Sequence, residues 1–433
     1  MPALALALLV AQALTLKDLQ ERARQNDPRA QQSVAQLENA RGKRDEAHWS
    51  GFPQISSLAF VGGPSPQHKL RLGDDDPDLN DVKAGWTPLG AVLHFEVQAV
   101  LPLWTAGKLT AGKAASDHLV LATEALLQRA RDQAVYDVTR AYWGYQTSRN
   151  ADASVAAIRK RLQEAQDRAK KLLAEQSDQI SKGDALKLDY LAEEIEAQHA
   201  SAVKNSELAL TGMRLLAALP EGAEIVKEDP PPVPEAPPLD KLLERALANR
   251  PEAKAAAEAV KAREQLVELE RGKLWPDLGL VAGYRFTQTT NASNPGSPFA
   301  NNPYFENSPY LAIGLRGTFE VPQKLARVRQ TEADLHEAVA VRSGAESLIR
   351  LELHQALGDL QEARIKVDRY TRETAIGKQL SVQAGVAFES GLGDARELLE
   401  GTLLYARADG ARLSAQFDAQ LAWAALQKAT GGF

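Results

Sequence analysis

The sequence predicts a mainly α-helical chain of tandem-duplicated long helical hairpins, with four strands suited to a membrane β-barrel. Three observations carry that reading. Leu103–Leu219 and Gln323–Phe433 contain no proline and are rich in strong helix formers, so long helices survive there. A shift of 223 residues places Leu16, Leu19, Ala23, Asn26, Pro28 and Ala30 on Leu239, Leu242, Ala246, Asn249, Pro251 and Ala253, and runs without a gap to Pro53/Pro276. Between the helical blocks lie segments in which apolar and polar residues alternate.

Taken in order, Met1–Ala13 is apolar and closes on Ala11-Gln12-Ala13, the pattern of a secretory signal peptide cut after Ala13; the alternative is a buried N-terminal helix. Pro28–Trp49 follows as a helix of about 33 Å with proline in its first turn. Gly107–Gln176 makes a long arm of about 105 Å. Its apolar seams run through Leu127, Ala130, Ala134, Val138, Ala141 and Tyr145, then Val155, Ile158, Leu162, Ala165, Ala169 and Leu172. The arm breaks at Ser181-Lys182-Gly183-Asp184, with Gly183 expected as C-cap and Asp184 as the next N-cap. Asp184–Ala218 returns only about 50 Å, leaving the rest of the long arm for Pro28–Trp49 to cover.

The second half offers the same pieces: Pro251–Trp275, Leu325–Phe388 with the seam Leu353, Ala356, Leu360, Ala363, Val367 and Tyr370, a break around Gly391, and Asp394–Thr430. Residues 14–228 and 239–433 therefore read as two repeats of one plan, joined by the stiff proline-rich linker 229–238.

Ala91–Leu101 alternates Leu93, Phe95, Val97, Ala99 and Leu101 against His94, Glu96 and Gln98. Ser308–Val321 sets Leu311, Ile313, Leu315, Phe319 and Val321 against Arg316, Thr318 and Glu320; Gln54–Gly62 and Asp277–Gln288 complete four strands. Lengths of this order suit tilted strands crossing a bilayer. Four strands cannot close a barrel, and lipid tolerates no open edge, so membrane-embedded strands require several chains to share one barrel. The alternative is a soluble sheet beside a coiled coil.

Composition removes several function classes. With 51 basic and 57 acidic residues there is no electrostatic footprint for nucleic acid. The absence of cysteine excludes thiolate metal sites, cysteine nucleophiles and a lipid-modified N-terminal cysteine. The seven histidines form no metal-ligating pair, and no P-loop or nucleophile elbow occurs, so no enzyme, cofactor or metal centre is expected. Gly73–Asp81 lacks the glycine and glutamate of a calcium loop, with Leu79 and Gly85 in their places, and reads as a solvated acidic loop.

The whole pattern resembles the TolC-like outer-membrane efflux factors. The resemblance rests on the duplication, on "NDPRAQ" and "NRPEAK" opening the inner helices, and on "SGFPQI", "LWPDLGL" and "LPLWTAGK" flanking strands. It rests also on the turns, Gly183 to Asp189-Tyr190-Leu191 and Gly391 to Glu397-Leu398-Leu399. It implies a homotrimer with a twelve-stranded barrel in the outer membrane of a Gram-negative bacterium, continued by an α-helical tunnel in the periplasm. The implied function is a non-catalytic exit duct serving a periplasmic adaptor (a membrane fusion protein) and an inner-membrane transporter, ABC or proton-driven, in multidrug efflux, metal-ion efflux or type I secretion.

The resemblance places a periplasmic gate at Glu397 and Glu400, with Asp189 as counterpart, and adaptor contacts at the hairpin tips, Gly183, Gly391, Phe388 and Arg396. Phe388 and Gly393 replace the hydroxyl-bearing and basic residues that latch a closed state in the family, and Arg396 is the candidate substitute. The rival class is a periplasmic coiled-coil adaptor, which carries one hairpin flanked by β-rich halves.

Overall fold

The structure, a computed structural model, describes residues 13–62, 91–176, 180–290, 305–390 and 392–433. All but the last residue of the expected signal peptide, the acidic segment Gly73–Asp81 and Gly391 lie outside them. The elements are α1 (Leu16–Asn26), α2 (Pro28–Trp49), β1 (Gln54–Gly62), β2 (Val92–Trp104), α3 (Lys108–Ala174), α4 (Lys182–Ala217), α5 (Leu239–Asn249), α6 (Pro251–Gly272), β3 (Asp277–Thr289), β4 (Glu306–Arg316), α7 (Val321–Ser390) and α8 (Ala395–Ala429). The pairs α1/α5 and α2/α6 are offset by the 223 residues read from the sequence. Two long hairpins, α3–α4 and α7–α8, are present where an adaptor would carry one.

The chain forms two compact units, one from Met1–Asn39, Leu121–Glu258 and Ala340–Phe433, the other from Ala40–Val120 and Ala259–Val339. In the first, the duplication is visible as packing. Leu19 and Ala23 of α1 are buried with Ala134, Val138 and Tyr142 of α3 and Met213 and Ala217 of α4. Their counterparts Leu242 and Ala246 of α5 are buried with Leu353, Ala356 and Leu360 of α7 and Ala422 and Leu426 of α8. Burying each leucine-sized side chain contributes about 1.5–3 kcal/mol, while the alanines keep neighbouring helices close. The approach is close within the second hairpin. A Cβ on Gly401 would stand 3.2 Å from the carbonyl oxygen of Leu380 and the Cα of Ser381, and one on Gly377 would stand 3.1 Å from the Cα of Tyr405.

The second unit holds an antiparallel sheet in the order β1-β2-β3-β4. Its registers include Phe60↔His94, Phe95↔Phe286, Glu96↔Arg285 and Gly283↔Tyr310. β1 and β4 are edges. Two strand expectations are corrected. β2 runs to Trp104 rather than Leu101, because a bulge between Pro102 and Trp104 accommodates the proline. β4 runs over Glu306–Arg316 rather than Ser308–Val321. Its last residue, Arg316, pairs with Asp277, and Pro276 beyond it has no N–H with which to extend the ladder. The alternation through Phe319 and Val321 therefore has no partner strand. Val321 instead opens α7, where Pro322 is tolerated in the first turn.

Candidate functional site

In an antiparallel ladder, directly paired residues lie on the same face, so the registers sort every strand side chain. One face carries Ile55, Val61, Leu93, Phe95, Val97, Leu101, Leu280, Phe286, Leu311, Ile313 and Leu315. No charged residue falls on it. Ile55, Leu311, Ile313 and Leu315 are each about 70% exposed. The other face carries every charged strand residue: Glu96, Asp277, Arg285, Glu306 and Arg316, with His94 and Gln98 among them.

The polar face is cross-linked. The Arg285 guanidinium donates to Glu96 Oε1 at 3.1 Å and to Glu306 Oε1 at 3.2 Å, and the Tyr310 hydroxyl donates to Glu96 Oε1 at 3.3 Å. His94 Nδ1 shares a hydrogen bond with Thr287 Oγ1 at 2.8 Å, and its ring stacks on Phe60. Tyr310 lies over Gly283, where a Cβ would meet its ring and hydroxyl at 2.5 Å, so the glycine makes room for the aromatic. Alternation had set His94 and Glu96 on one face; the cross-strand partners depend on register between distant segments, for which the sequence carried no signal.

Bulky rings gather where strands meet helices. Trp49 and Phe52 before β1 lie 4.6 Å apart, Trp104 ends β2, Trp275 precedes β3 and Phe319 follows β4, and all are exposed. Lys108, which opens α3, pairs with Asp277 at 2.7 Å.

At the hairpin ends, Ser181 rather than Asp184 caps α4. Ser181 Oγ accepts from the Asp184 N–H and Asp184 Oδ2 accepts from the Ser181 N–H, a reciprocal capping box. Hydrogen bonds from Ser181 and then from Lys187 hold the Asp184 carboxyl below its ordinary value. Gly183 consequently lies inside the first turn of α4 with no positive φ, and the left-handed residue closing the preceding stretch is Gln176 (φ 56°). The expected glycine C-cap is thus corrected: a Ser-x-x-Asp pattern takes the cap ahead of it.

In the second hairpin, Asp394 is the N-cap of α8 as expected, accepting from the Glu397 N–H at 2.8 Å. The turn closes through the N–H groups of Leu392 and Gly393 onto Ala387 O. A Cβ on Gly393 would stand 2.8 Å from the Ala387 Cβ, so this position admits no latch side chain.

Glu397 and Glu400 lie one turn apart on α8, both exposed, and Glu400 Oε1 accepts from Arg396 Nε at 3.0 Å. Asp189 is exposed on α4 and accepts from Gln166 at 2.7 Å. Phe388 is a correction: it is 2% exposed, packed in the core with Leu162, Leu188, Leu191 and Ala395, and offers no surface to an adaptor. Beside it, between the two hairpins, is a cavity of about 560 Å³ edged by Arg161, Arg168, Lys171 and Glu389. Among the described residues no group of side chains has the composition of a metal site, and no helix is long and apolar enough to cross a membrane.

The fold has known counterparts. Residues 242–432 match the family model described as outer membrane efflux protein. No curated protein matches the chain in sequence. Its fold is similar to that of the outer-membrane channel OprN (TM-score 0.78, 18% identity, covering 96% of this chain and 90% of that one). It is similar also to VceC from Vibrio cholerae (TM-score 0.75, 18% identity, 96% of each chain). The open state of MtrE from Neisseria gonorrhoeae is a third (TM-score 0.75, 18% identity, 96% and 89%). All three are outer-membrane proteins, in line with the placement expected from the sequence. Residues 242–432 thus match the outer membrane efflux protein family model, and the chain as a whole has the fold of these outer-membrane channels.

Proposed function

We propose that three copies of this chain form an exit duct, their strands closing a twelve-stranded barrel in the outer membrane and their hairpins continuing it as an α-helical tunnel in the periplasm. One observation carries the reading: all five charged strand residues share one face of a sheet whose other face is uncharged and mostly apolar. Such a sheet suits a wall with lipid outside and water inside, and its edges, β1 and β4, need partners that only other chains supply. The duct receives cargo from a periplasmic adaptor and an inner-membrane transporter, ABC or proton-driven, and catalyses nothing itself. Residues 14–228 and 239–433 act as two copies of one unit, so a trimer presents six similar hairpins.

Glu397 and Glu400, with Asp189 as counterpart, form the narrow periplasmic entrance. Threefold symmetry multiplies the two glutamates into stacked rings of carboxylates, which attract polyvalent cations. Gly183 and Arg396, at the hairpin ends, are offered to the adaptor, as is Gly391 by its place in the sequence.

The test is fractionation followed by light scattering. The reading expects an outer-membrane protein, extracted only by detergent, with a protein mass about three times the chain's 47.0 kDa less its signal. A water-soluble monomer would overturn it.

A further inference from the structure

The cavity of about 560 Å³ beside Phe388 lies within the volume range of small-molecule sites, and the conduction of cargo does not use it. All four long helices line it. Its walls are apolar: Leu162 of α3, Leu188 and Leu191 of α4, Phe388 of α7 and Leu398 of α8. Two hydroxyls interrupt them, Ser381 of α7 and Thr402 of α8, on residues only 4% and 6% exposed. Neither has a hydrogen-bond partner among the described residues, although a buried hydroxyl ordinarily finds one. The mouth carries charges of both signs. Arg161, Arg168 and Lys171 line it together with Glu164, Asp167 and Glu389, all exposed, and none of the six forms an ion pair among the described residues. Arg168 donates instead to the backbone oxygen of Glu389 at 3.3 Å.

Apolar walls, unpartnered buried hydroxyls and unpaired charges of both signs call for a ligand with three kinds of group. We propose that the cavity binds a single-chain zwitterionic phospholipid, a lysophosphatidylethanolamine. Its acyl chain lies against the leucines and Phe388, and its glycerol hydroxyl and ester meet Ser381 and Thr402. Its phosphate takes charge-assisted hydrogen bonds from the α3 cations, and its ammonium gives them to the carboxylates. A fatty acid answers the cations and opposes the carboxylates; a neutral acylglycerol answers neither. The site lies within one chain, so the inference goes beyond the exit-duct reading and does not depend on it. Because the ligand touches both hairpins, occupancy ties one to the other and stabilises the folded chain by mass action.

The experiment is calorimetric titration of the full-length protein with lauroyl lysophosphatidylethanolamine below its micelle-forming concentration. The protein is held in amphipol, so that no detergent micelle competes. The parent is expected to bind saturably, one lipid to each chain, and to bind lauroyl glycerol at least tenfold more weakly. Gly385 lines the cavity with nothing within 4 Å of its Cβ position, so Gly385→Leu places a side chain in the ligand's space and weakens binding at least tenfold. Gly358→Leu, equally unobstructed on the same helix but away from the cavity, binds like the parent. Arg168→Gln/Lys171→Gln loses affinity to a similar degree, and Glu164→Gln/Asp167→Asn loses the preference for lysophosphatidylethanolamine over lysophosphatidylglycerol. No saturable binding by the parent overturns the inference, as does equal affinity for lauroyl glycerol. Parent-like binding by Gly385→Leu overturns it too; should that variant fail to fold, the exposed Arg168→Gln/Lys171→Gln pair decides in its place. A water-soluble monomer that binds the lipid sinks the exit-duct reading and leaves this inference standing; a detergent-extracted trimer that does not bind it sinks this inference alone.

Discussion

Asp27 and Arg250 occupy the same place in the two repeats, each buried immediately before the proline that opens a helix, and they carry opposite charges. Asp27 accepts from the Arg29 backbone N–H at 2.7 Å and from its guanidinium at 2.8 Å, and Arg29 reaches Asp137 of α3 at 2.7 Å. Arg250 pairs with Glu252 at 3.3 Å, the counterpart of Arg29, and with Glu352 of α7 at 2.6 Å. One geometry is thus built twice with reversed polarity. Burial pushes the Asp27 carboxyl up, but the hydrogen bonds and charge of Arg29 together bring it below its ordinary value.

It follows that Asp27→Arg alone buries a guanidinium beside that of half-exposed Arg29 and costs about 3–5 kcal/mol. Adding Arg29→Glu recreates the arrangement of the second repeat, in which a buried guanidinium faces two carboxylates, here the introduced glutamate and Asp137, and recovers most of that loss. Thermal unfolding of the detergent-solubilised variants checks this; a double variant no more stable than the single one would sink the equivalence. Because the folded Asp27 carboxyl is depressed, its stabilisation is present above the unfolded value and lost as pH falls through the folded one.

Asp132 on α3 has the opposite linkage. It is buried, and burial raises its carboxyl above the ordinary value, although Gln128 donates to it at 2.7 Å. The charged form therefore destabilises the fold at neutral pH, and that cost disappears as pH falls below the folded value. Asp132→Asn keeps an acceptor for Gln128 and is expected to raise the melting temperature at pH 7 more than at pH 4. Equal shifts at both pH values would show that the carboxylate carries no such cost.

The close packing of α7 on α8 gives a paired test. Gly401→Ala forces backbone apart and costs about 1–3 kcal/mol. Gly410→Ala, on the same helix with nothing within 4 Å of its Cβ position, stabilises by about 0.5–1 kcal/mol. Denaturation midpoints that move the same way for both would contradict the crossing geometry.

At the proposed gate, Glu397→Ala/Glu400→Ala is expected to weaken block by trivalent cations from the periplasmic side by about tenfold, equivalent to about 1.4 kcal/mol. Since Arg396 holds Glu400 at 3.0 Å, Arg396→Ala frees a carboxylate and strengthens the block. Asp74→Asn/Asp75→Asn/Asp76→Asn leaves it unchanged. Identical block in parent and double variant would reduce both glutamates to surface charge.

What the sequence disclosed followed the range of the physics. Helix lengths and the 223-residue offset that pairs Leu19 with Leu242 were legible, because periodicity and proline placement are local signals. The alternation around Leu93 and Leu311 located the strands and their faces. Legibility failed where two local rules competed, as when Ser181 took the cap assigned through Gly183, and where a partner strand ended, as at Arg316. It failed too where packing between hairpins decided, which is why Phe388 reads as a tip residue in sequence and as core in the structure. The charged cluster at Glu96 was invisible for the same reason: its members come from segments nearly two hundred residues apart and meet only through register.

The central claim is that one face of the four-stranded sheet meets lipid and the other meets water. The chain has no cysteine, so single-cysteine variants report without background. We expect Gln98→Cys and Ala312→Cys in intact outer membranes to react with a membrane-impermeant thiol reagent, and Leu93→Cys, Leu311→Cys and Ile313→Cys to resist it until detergent or denaturant is added. Equal labelling of both faces before solubilisation would contradict the account.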